Sequence, residues 1–171
     1  TYFFYDLNSA LAVAGSAPTA SSTVIVSNTA PTVSNVVLNN ATSIVLTANA
    51  TTVIRVTADI TDNNGCSEIT DATATIMLYR ANITSSTCRK SANNQNCYVL
   101  TQYTATSSCS ASVTVLTTST FGVYYFAQAT DASSSNAATN WIATVIARDT
   151  GNTTGTADSG TSELLTLTAI N

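Results

Sequence analysis

Apolar and polar residues alternate with period two along most of the chain from residue 32 onward, and turn residues interrupt the alternation at short intervals. The clearest alternation runs from Val53 to Thr61, where one face carries Ile54, Val56, Ala58 and Ile60. A period of two is typical of β-strands that bury one face against a core. The pattern therefore predicts an all-β chain.

Nine short strands follow from this alternation. They run from Thr32 to Leu38, Ser43 to Thr47, Val53 to Thr61, Ala72 to Tyr79, Tyr98 to Thr104, Ala111 to Thr117, Phe121 to Ala129, Asn140 to Arg148 and Glu163 to Ile170. Residues 81–96 and 131–139 are polar and are predicted to be loops, and the Gly-containing residues 149–162 are predicted to be a hairpin connection. Trp141 is the predicted core anchor. About nine strands at this spacing, without an amphipathic helix, predict a β-sandwich.

Residues 1–29 stand apart from the predicted sandwich, which spans residues 30–171. Residues 2–13 are apolar enough to form a strand, and residues 15–22 form a linker of small side chains. Burying one large apolar side chain is favourable by roughly 1.5–3 kcal/mol, so this segment is costly to leave in water. It would fold back on its own domain, be a remnant of a targeting sequence, or dock in a partner. The predicted contact residues are Tyr2, Phe3, Phe4, Tyr5, Leu7, Leu11 and Val13.

Hydroxyl groups, rather than charges, dominate the polar surface of this chain. Charged residues make up 8% of the sequence, whereas Ser and Thr account for 54 of its 171 residues. The five basic residues are scattered and the net charge is -4, a composition that argues against nucleic-acid binding. Every apolar run is shorter than the roughly 18 residues of a membrane-spanning helix, so no membrane span is expected.

The four cysteines favour two disulfide bonds formed in an oxidising compartment, with free thiols as the alternative. Cys88 and Cys97 bracket a polar loop, so a local bridge between them is the simplest pairing, and it leaves Cys66 with Cys109. A zinc site would need closely spaced Cys pairs or His, and the chain has no His. The predicted location is secreted, extracellular or at the cell surface.

Candidate acid–base chemistry is sparse, so the chain is predicted not to be an enzyme and to need no cofactor. Serine nucleophiles usually need a His base, and the single Lys, Lys90, lies in a polar loop. A calcium site is the one metal site that the pattern accommodates, with Asp59, Asp62 and Asn64 as candidate ligands. Ordinary turn chemistry is the favoured explanation of the same residues, because Asp and Asn are common in turns.

Four Asn-x-Ser/Thr sequons lie in predicted turns or loops, where an acceptor for N-linked glycans would be exposed. Their asparagines are Asn40, Asn49, Asn82 and Asn152. Chance predicts a similar number of sequons in a chain so rich in Thr and Ser. Glycans are therefore expected only if the host modifies such sites.

Two motifs carry a resemblance to bacterial cell-surface immunoglobulin-like domains. Residues 56–65 (VTADITDNNG) resemble the second strand and following turn of such domains, and residues 141–152 (WIATVIARDTGN) resemble their penultimate strand and its turn. The opening Ala30-Pro31-Thr32-Val33 is similar to their first strand. The resemblance implies an immunoglobulin-like sandwich of about seven to nine strands, used as a stalk, an adhesin or a fibre subunit. The loop between Cys88 and Cys97 and the N-terminal extension depart from that pattern.

These observations lead to one functional prediction and its alternatives. The prediction is a fibre subunit that polymerises with identical subunits by donating residues 2–14 to its neighbour. The alternatives are a stalk domain and an adhesin or carbohydrate-binding domain. The binding domain would use aromatic side chains for stacking on glycans, and its candidates are Phe121, Tyr124, Tyr125 and Phe126.

Overall fold

The described part of the chain is organised around two antiparallel sheets. The computed structural model describes residues 27–69, 75–101, 104–105 and 114–165. The strands are β1 (Thr32–Leu38), β2 (Thr51–Thr61), β3 (Thr75–Arg80), β4 (Cys97–Leu100), β5 (Thr104–Ala105), β6 (Thr114–Tyr124), β7 (Trp141–Arg148) and β8 (Thr154–Asp158), and one short helix, α1, spans Ser85–Lys90. The all-β prediction is confirmed. None of the helices in this part of the chain is long and apolar enough to cross a bilayer.

Each sheet contains four strands. The first sheet has the order β1-β2-β6-β5, and the second has the order β4-β3-β7-β8. Strands β2 and β6 form the longest ladder, which extends from the pair Thr51–Tyr124 to the pair Thr61–Thr114. Successive strands therefore run in alternating directions, and the loops collect at two opposite ends of the molecule.

The core lies between the sheets and receives side chains from both of them. The predicted inner face of β2 is confirmed, since Ile54, Val56, Ala58 and Ile60 are all buried. The alternation from Asn140 to Arg148 likewise places Trp141, the predicted core anchor, on the inner face of β7, where it is buried with Ala143, Val145 and Ala147. Period-two alternation thus directs every second side chain of β2 and β7 into the shared core.

The outer face of the second sheet carries a smaller apolar cluster. Met77 and Tyr79 of β3 are buried there beside Cys88 and Cys97. Cys88 lies on α1, which begins after Thr84, and the Thr84 hydroxyl accepts a hydrogen bond from the backbone N–H of Thr87. The Cys88–Cys97 disulfide joins α1 to the start of β4, with Cα atoms 5.5 Å apart. Both faces of β3 are therefore covered.

Replacing both Cys88 and Cys97 with Ala is expected to lower the free energy of unfolding by about 2–3 kcal/mol, because the bridge restricts the unfolded chain over a short loop. Urea denaturation of the purified variant measures the loss. Peptide mapping without reductant should recover a peptide linking these two residues from the unmodified protein. A Cys66–Cys88 peptide would contradict the pairing.

Several predicted element bounds are wrong. The segment from Ser43 to Thr47 is not a strand, because left-handed residues at 39–41 and at Asn49 confine it to a single bridge between Ile44 and Leu164. Residues 154–158 were expected in a connection but form β8, where Gly155 allows close packing rather than a turn. A Cβ at Gly155 would overlap the carbonyl oxygen of Pro31.

Three further predictions differ from the structure. The predicted strands from Ala111 to Thr117 and from Phe121 to Ala129 are one strand, β6, which ends at Tyr124. The predicted strand from Tyr98 to Thr104 divides into β4 and β5, which lie in different sheets. The loop expected at residues 81–96 contains α1. Residues 166–171, most of the predicted last strand, lie outside the described residues.

Candidate functional site

The outer edges of the two sheets differ in how they are protected against pairing with another strand. The edge of β1 is interrupted by a register shift between Ser34 and Val37, where Asn35 has a φ of 50°. Gly155 of β8 packs against the backbone that enters β1. At the start of β4, the Cys97 carbonyl accepts hydrogen bonds from the backbone of the preceding loop. Bulges and covering segments of this kind are common protections of sheet edges.

The described pairing along the outer edge of β6 is short. Strand β5 pairs with β6 at Thr117 and Thr118. Within the described part of the chain, no strand pairs with that side of β6 from Ser119 to Val123. Residues 102 and 103, which precede β5, lie outside the described residues, so the described pairing of this edge ends at Thr118.

The hydrogen bonds at the end of β6 show which residues point toward this edge. The Tyr125 N–H donates to the Ala50 carbonyl on the β2 side, whereas the Tyr124 N–H donates to the Tyr98 hydroxyl on the opposite side. Because backbone groups alternate along an antiparallel strand, Thr120 and Gly122 direct their N–H and C=O groups away from β2. These are the groups that an added strand would bind.

Three aromatic side chains are exposed at the C-terminal end of β6. Tyr124, Tyr125 and Phe126 are 38%, 43% and 47% exposed. The Phe126 ring lies 5.1 Å from the Tyr124 ring in a stacked arrangement and 5.4 Å from the Tyr125 ring in an edge-on arrangement. Phe121, the fourth aromatic candidate from the sequence, is buried in the core. The remaining three form a compact aromatic patch.

The aromatic patch rests on buried residues that hold its backbone in place. The Tyr98 hydroxyl donates to the Asn94 carbonyl and accepts from the Tyr124 N–H. The Tyr98 ring lies 5.9 Å from the Trp141 ring, and the Trp141 indole donates to the Gln128 carbonyl. Desolvation by burial raises the pKa of Tyr98, so the hydroxyl stays protonated and able to donate at neutral pH.

A second polar cluster lies at the opposite end of the molecule, where residue 28 meets the turn between β7 and β8. The buried Asp149 carboxylate accepts hydrogen bonds from the Asn28 amide at 2.9 Å, from the Thr153 backbone at 2.8 Å and from the Thr153 hydroxyl. The Asn64 side chain also accepts from the Thr29 N–H. These contacts fix the start of the described chain beside β1 and β8.

The ionisation of Asp149 is expected to make the free energy of unfolding depend on pH. The Thr153 hydroxyl, followed by the Asn28 amide, holds the pKa of Asp149 below its usual value. The ionised carboxylate therefore stabilises the fold above the unfolded pKa of about 4, and this contribution is lost as the pH falls through the lower folded pKa. Asp149→Asn should lose less stability than the wild type between about pH 5 and about pH 2. Urea denaturation midpoints of the wild type and of Asp149→Asn, measured across that pH range, test this expectation. Midpoints that fall in parallel for the two proteins would contradict it.

The calcium candidates do not converge on one position. Asp59 receives a hydrogen bond from the Asn35 amide at 2.7 Å, whereas Asp62 is buried and accepts from the Asn64 N–H at 2.8 Å. Asp59 and Asp62 are three residues apart on an extended chain, so their side chains point to opposite faces. Within the described ranges, no three His, Cys, Asp or Glu residues gather in a geometry that could hold a metal ion.

The four sequon asparagines are all exposed, and three of them lie in left-handed turns. Asn40, Asn49 and Asn152 have φ values of 53°, 57° and 66°. Asn82 follows β3 in the connection to α1. A glycan could be attached at any of these positions without displacing packed side chains.

The remaining candidate residues are only partly within the described chain. Cys66 is bonded in a disulfide, while its predicted partner Cys109 lies outside the described residues. The predicted donor segment also lies outside them, including Tyr2, Phe3, Phe4, Tyr5, Leu7, Leu11 and Val13. The proposed pairing of Cys66 and the role of the donor segment therefore stay predictions.

A cavity of about 570 Å³ lies between α1 and the outer face of the second sheet. Its described lining consists of Met77, Ser85, Ser86, Arg89, Lys90 and Ile146. This lining offers hydroxyls and cations beside an apolar floor, without a carboxylate or imidazole that could act as a general base. The cavity lining therefore gives no support to a catalytic function.

Comparison with protein-family models, with curated proteins and with solved structures found no match. The function must therefore be argued from the surface of the molecule. Its most distinctive described feature is the aromatic patch at the end of β6.

Proposed function

We propose that this chain is a structural subunit of an extracellular fibre, in which the N-terminal segment of one copy adds a strand to the next copy. The observation that carries the proposal is the outer edge of β6, where the described part of β5 covers Thr117 and Thr118 and three exposed aromatic side chains lie at the end of the strand. Strand addition satisfies unpaired backbone groups and uses alternate side chains for specificity. A head-to-tail contact of this kind does not close on itself, so it produces a filament.

The strand order supports an immunoglobulin-like form of the sandwich. In immunoglobulin domains one sheet has the order A-B-E-D, and the other contains C, F and G, with C′ beside C in some types. The orders β1-β2-β6-β5 and β4-β3-β7-β8 correspond to A-B-E-D and C′-C-F-G. Domains of this architecture suit extracellular assemblies, although architecture alone does not choose among functions.

The disulfide chemistry and the surface composition support secretion. The Cys88–Cys97 bridge needs an oxidising compartment to persist. A surface covered by Thr, Ser and Asn, with 8% charged residues, gives little like-charge repulsion between copies. Identical subunits could therefore pack closely along a filament.

Negative-stain electron microscopy of the purified full-length chain tests this proposal. Filaments with a regular subunit repeat are the expected result. Single particles at every concentration and salt condition would overturn the fibre assignment.

The aromatic patch favours a second candidate function, the binding of carbohydrate. Exposed aromatic rings present flat apolar faces beside hydroxyl groups, and Tyr124, Tyr125 and Phe126 lie together on the surface. A glycan array would detect such binding, and replacing Tyr125 and Phe126 with Ser should then abolish it. If no glycan binds, carbohydrate binding is wrong, and the patch is then a surface for contacts with other protein chains.

A further inference from the structure

We propose that Asn49 carries an N-linked glycan whose first sugar packs against the aromatic patch formed by Tyr124, Tyr125 and Phe126. The inference is independent of the fibre function. It replaces the foreign glycan of the second candidate function with a glycan attached to the chain itself. It also separates Asn49 from the three other sequon asparagines, because the patch adjoins the sequon of Asn49.

The sequon of Asn49 begins in a tight turn that precedes β2. The Ala50 N–H donates to the Thr47 carbonyl at 3.2 Å, and Asn49 has a φ of 57°. The Thr47 N–H donates to the Thr52 hydroxyl at 2.8 Å, which holds the turn against the start of the strand. Asn49 itself is exposed. A glycan attached to Asn49 therefore starts from a fixed point on the surface.

The backbone of this sequon lies directly beside the backbone of the aromatic patch. The Tyr125 N–H donates to the Ala50 carbonyl at 3.1 Å. Thr51, the hydroxyl residue of the sequon, pairs across the ladder with Tyr124. Because the Tyr124 N–H points away from β2, this is a non-hydrogen-bonded pair, in which opposite side chains approach most closely. Asn49 lies one residue beyond the last of these backbone contacts.

The outer face of the first sheet offers a flat, apolar surface beside the turn. Thr51 and Val53 of β2 lie opposite Tyr124 and Gly122 of β6. Val53 is 68% exposed, and the atoms nearest to a Cβ placed at Gly122 would be those of the Thr51 side chain, at 3.7 Å. A pyranose ring has a face of C–H groups, which packs on aromatic rings while the hydroxyls stay in water. The stacked rings of Tyr124 and Phe126 suit that face.

Attachment to Asn49 makes a weak contact between the sugar and the patch sufficient. A free sugar that binds exposed rings must give up its translational and rotational freedom. A sugar bonded to Asn49 has already lost most of that freedom, and a short linkage raises its effective concentration at the patch to the millimolar range. The glycan would then cover rings that are otherwise in water, and it should stabilise the folded chain.

Asn152 provides a matched comparison for Asn49. It too is exposed in a left-handed turn, with a φ of 66°. Its turn joins β7 to β8 at the opposite end of the molecule, where the Asn152 N–H donates to the Asp149 carbonyl. Within the described residues, the exposed large aromatic side chains all belong to the patch. A sugar on Asn152 therefore has no described aromatic ring to cover.

Two chains with a single sequon each test this inference. One keeps Asn49 and carries Asn40→Asp, Asn82→Asp and Asn152→Asp, and the other keeps Asn152 and carries Asn40→Asp, Asn49→Asp and Asn82→Asp. Asp is used because it tolerates left-handed turns. Each chain is produced in a host that glycosylates sequons, trimmed to a single N-acetylglucosamine, and compared with the same chain made without glycosylation.

The sugar on Asn49 should raise the melting temperature by about 2–4 °C, the shift expected for one modest aromatic contact in a domain of this size. The sugar on Asn152 should change it by less than about 1 °C. Adding Tyr124→Ser and Phe126→Ser to the Asn49 chain should remove the gain. Both side chains are exposed, so this variant is expected to fold.

Proton NMR of the trimmed Asn49 chain gives a second readout that needs no aromatic variant. Protons of the sugar on Asn49 should shift upfield because they lie over ring faces, whereas those of the sugar on Asn152 should not. A chain that carries no sugar at Asn49, equal gains in melting temperature at the two sites, or unshifted sugar protons on Asn49 would each overturn the inference. None of these outcomes depends on filament growth, so the fibre function is tested separately.

Discussion

Deletion of residues 1–20 is expected to leave a folded, soluble monomer that cannot form filaments. The described core is built from residues 33–164, and the contacts of Asn28 with Asp149 and Thr153 are retained in the shortened chain. The deletion removes the apolar segment that would pair with the neighbouring copy. Sedimentation velocity measures the mass, and electron microscopy shows whether filaments form.

A synthetic peptide of residues 1–20 provides the companion experiment. Added to growing wild-type filaments, it should bind exposed acceptor sites and stop elongation. A peptide with Phe3 and Tyr5 replaced by Ser is the matched control and should act more weakly. If the deletion unfolds the domain while the full-length chain runs as a monomer, the segment belongs to its own sandwich and donation is wrong.

Trp141→Ala is expected to be the most destabilising single substitution in the described core, with a loss of about 3–5 kcal/mol. Trp141 is fully buried, contacts the Tyr98 ring and donates its indole N–H to the Gln128 carbonyl. Its backbone also exchanges two hydrogen bonds with Ser162. Typical domains have only about 5–15 kcal/mol of stability, so the variant should be close to unfolding at room temperature.

Urea denaturation followed by circular dichroism measures this loss, because the variant lacks the only tryptophan of the chain. Trp141→Phe is the control, since it keeps an aromatic ring and should lose less stability. A loss below about 1 kcal/mol for Trp141→Ala would show that the ring is not a principal core anchor. The aromatic patch should become mobile in both variants, because Trp141 supports the backbone at Gln128.

Side-chain alternation predicts the buried faces of β2 and β7 correctly, because each strand has one face on the core. Alternation was less informative where a strand is covered on both faces. Every described side chain of β3 from Thr75 to Arg80 is buried, since α1 and the disulfide cover the outer face. The helix itself was missed because its polar sequence resembles a loop, although Thr84 is a suitable N-cap.

Tertiary contacts explain the other differences. Gly155 was interpreted as a turn residue, but it lies within β8 because the backbone at Pro31 approaches too closely for a side chain. The hydroxyl-rich residues 118–120 separate two predicted strands, yet Thr favours strands, and β6 continues through them. Sequence alternation carries no information about which strands become neighbours, so the pairing of β5 with Thr117 and Thr118 could not be predicted.

A mixture of two complementary variants tests the central claim most directly. The chain lacking residues 1–20 should accept a strand but not donate one, and Gly122→Pro, which removes a backbone N–H that faces away from β2, should donate a strand but not accept one. Each alone should be a monomer of about the 17.6 kDa chain mass, slightly less after the deletion. Mixed in equal amounts, they should form a one-to-one dimer and nothing larger in sedimentation velocity. Absence of the dimer, or filament growth by either variant alone, would contradict donation between copies.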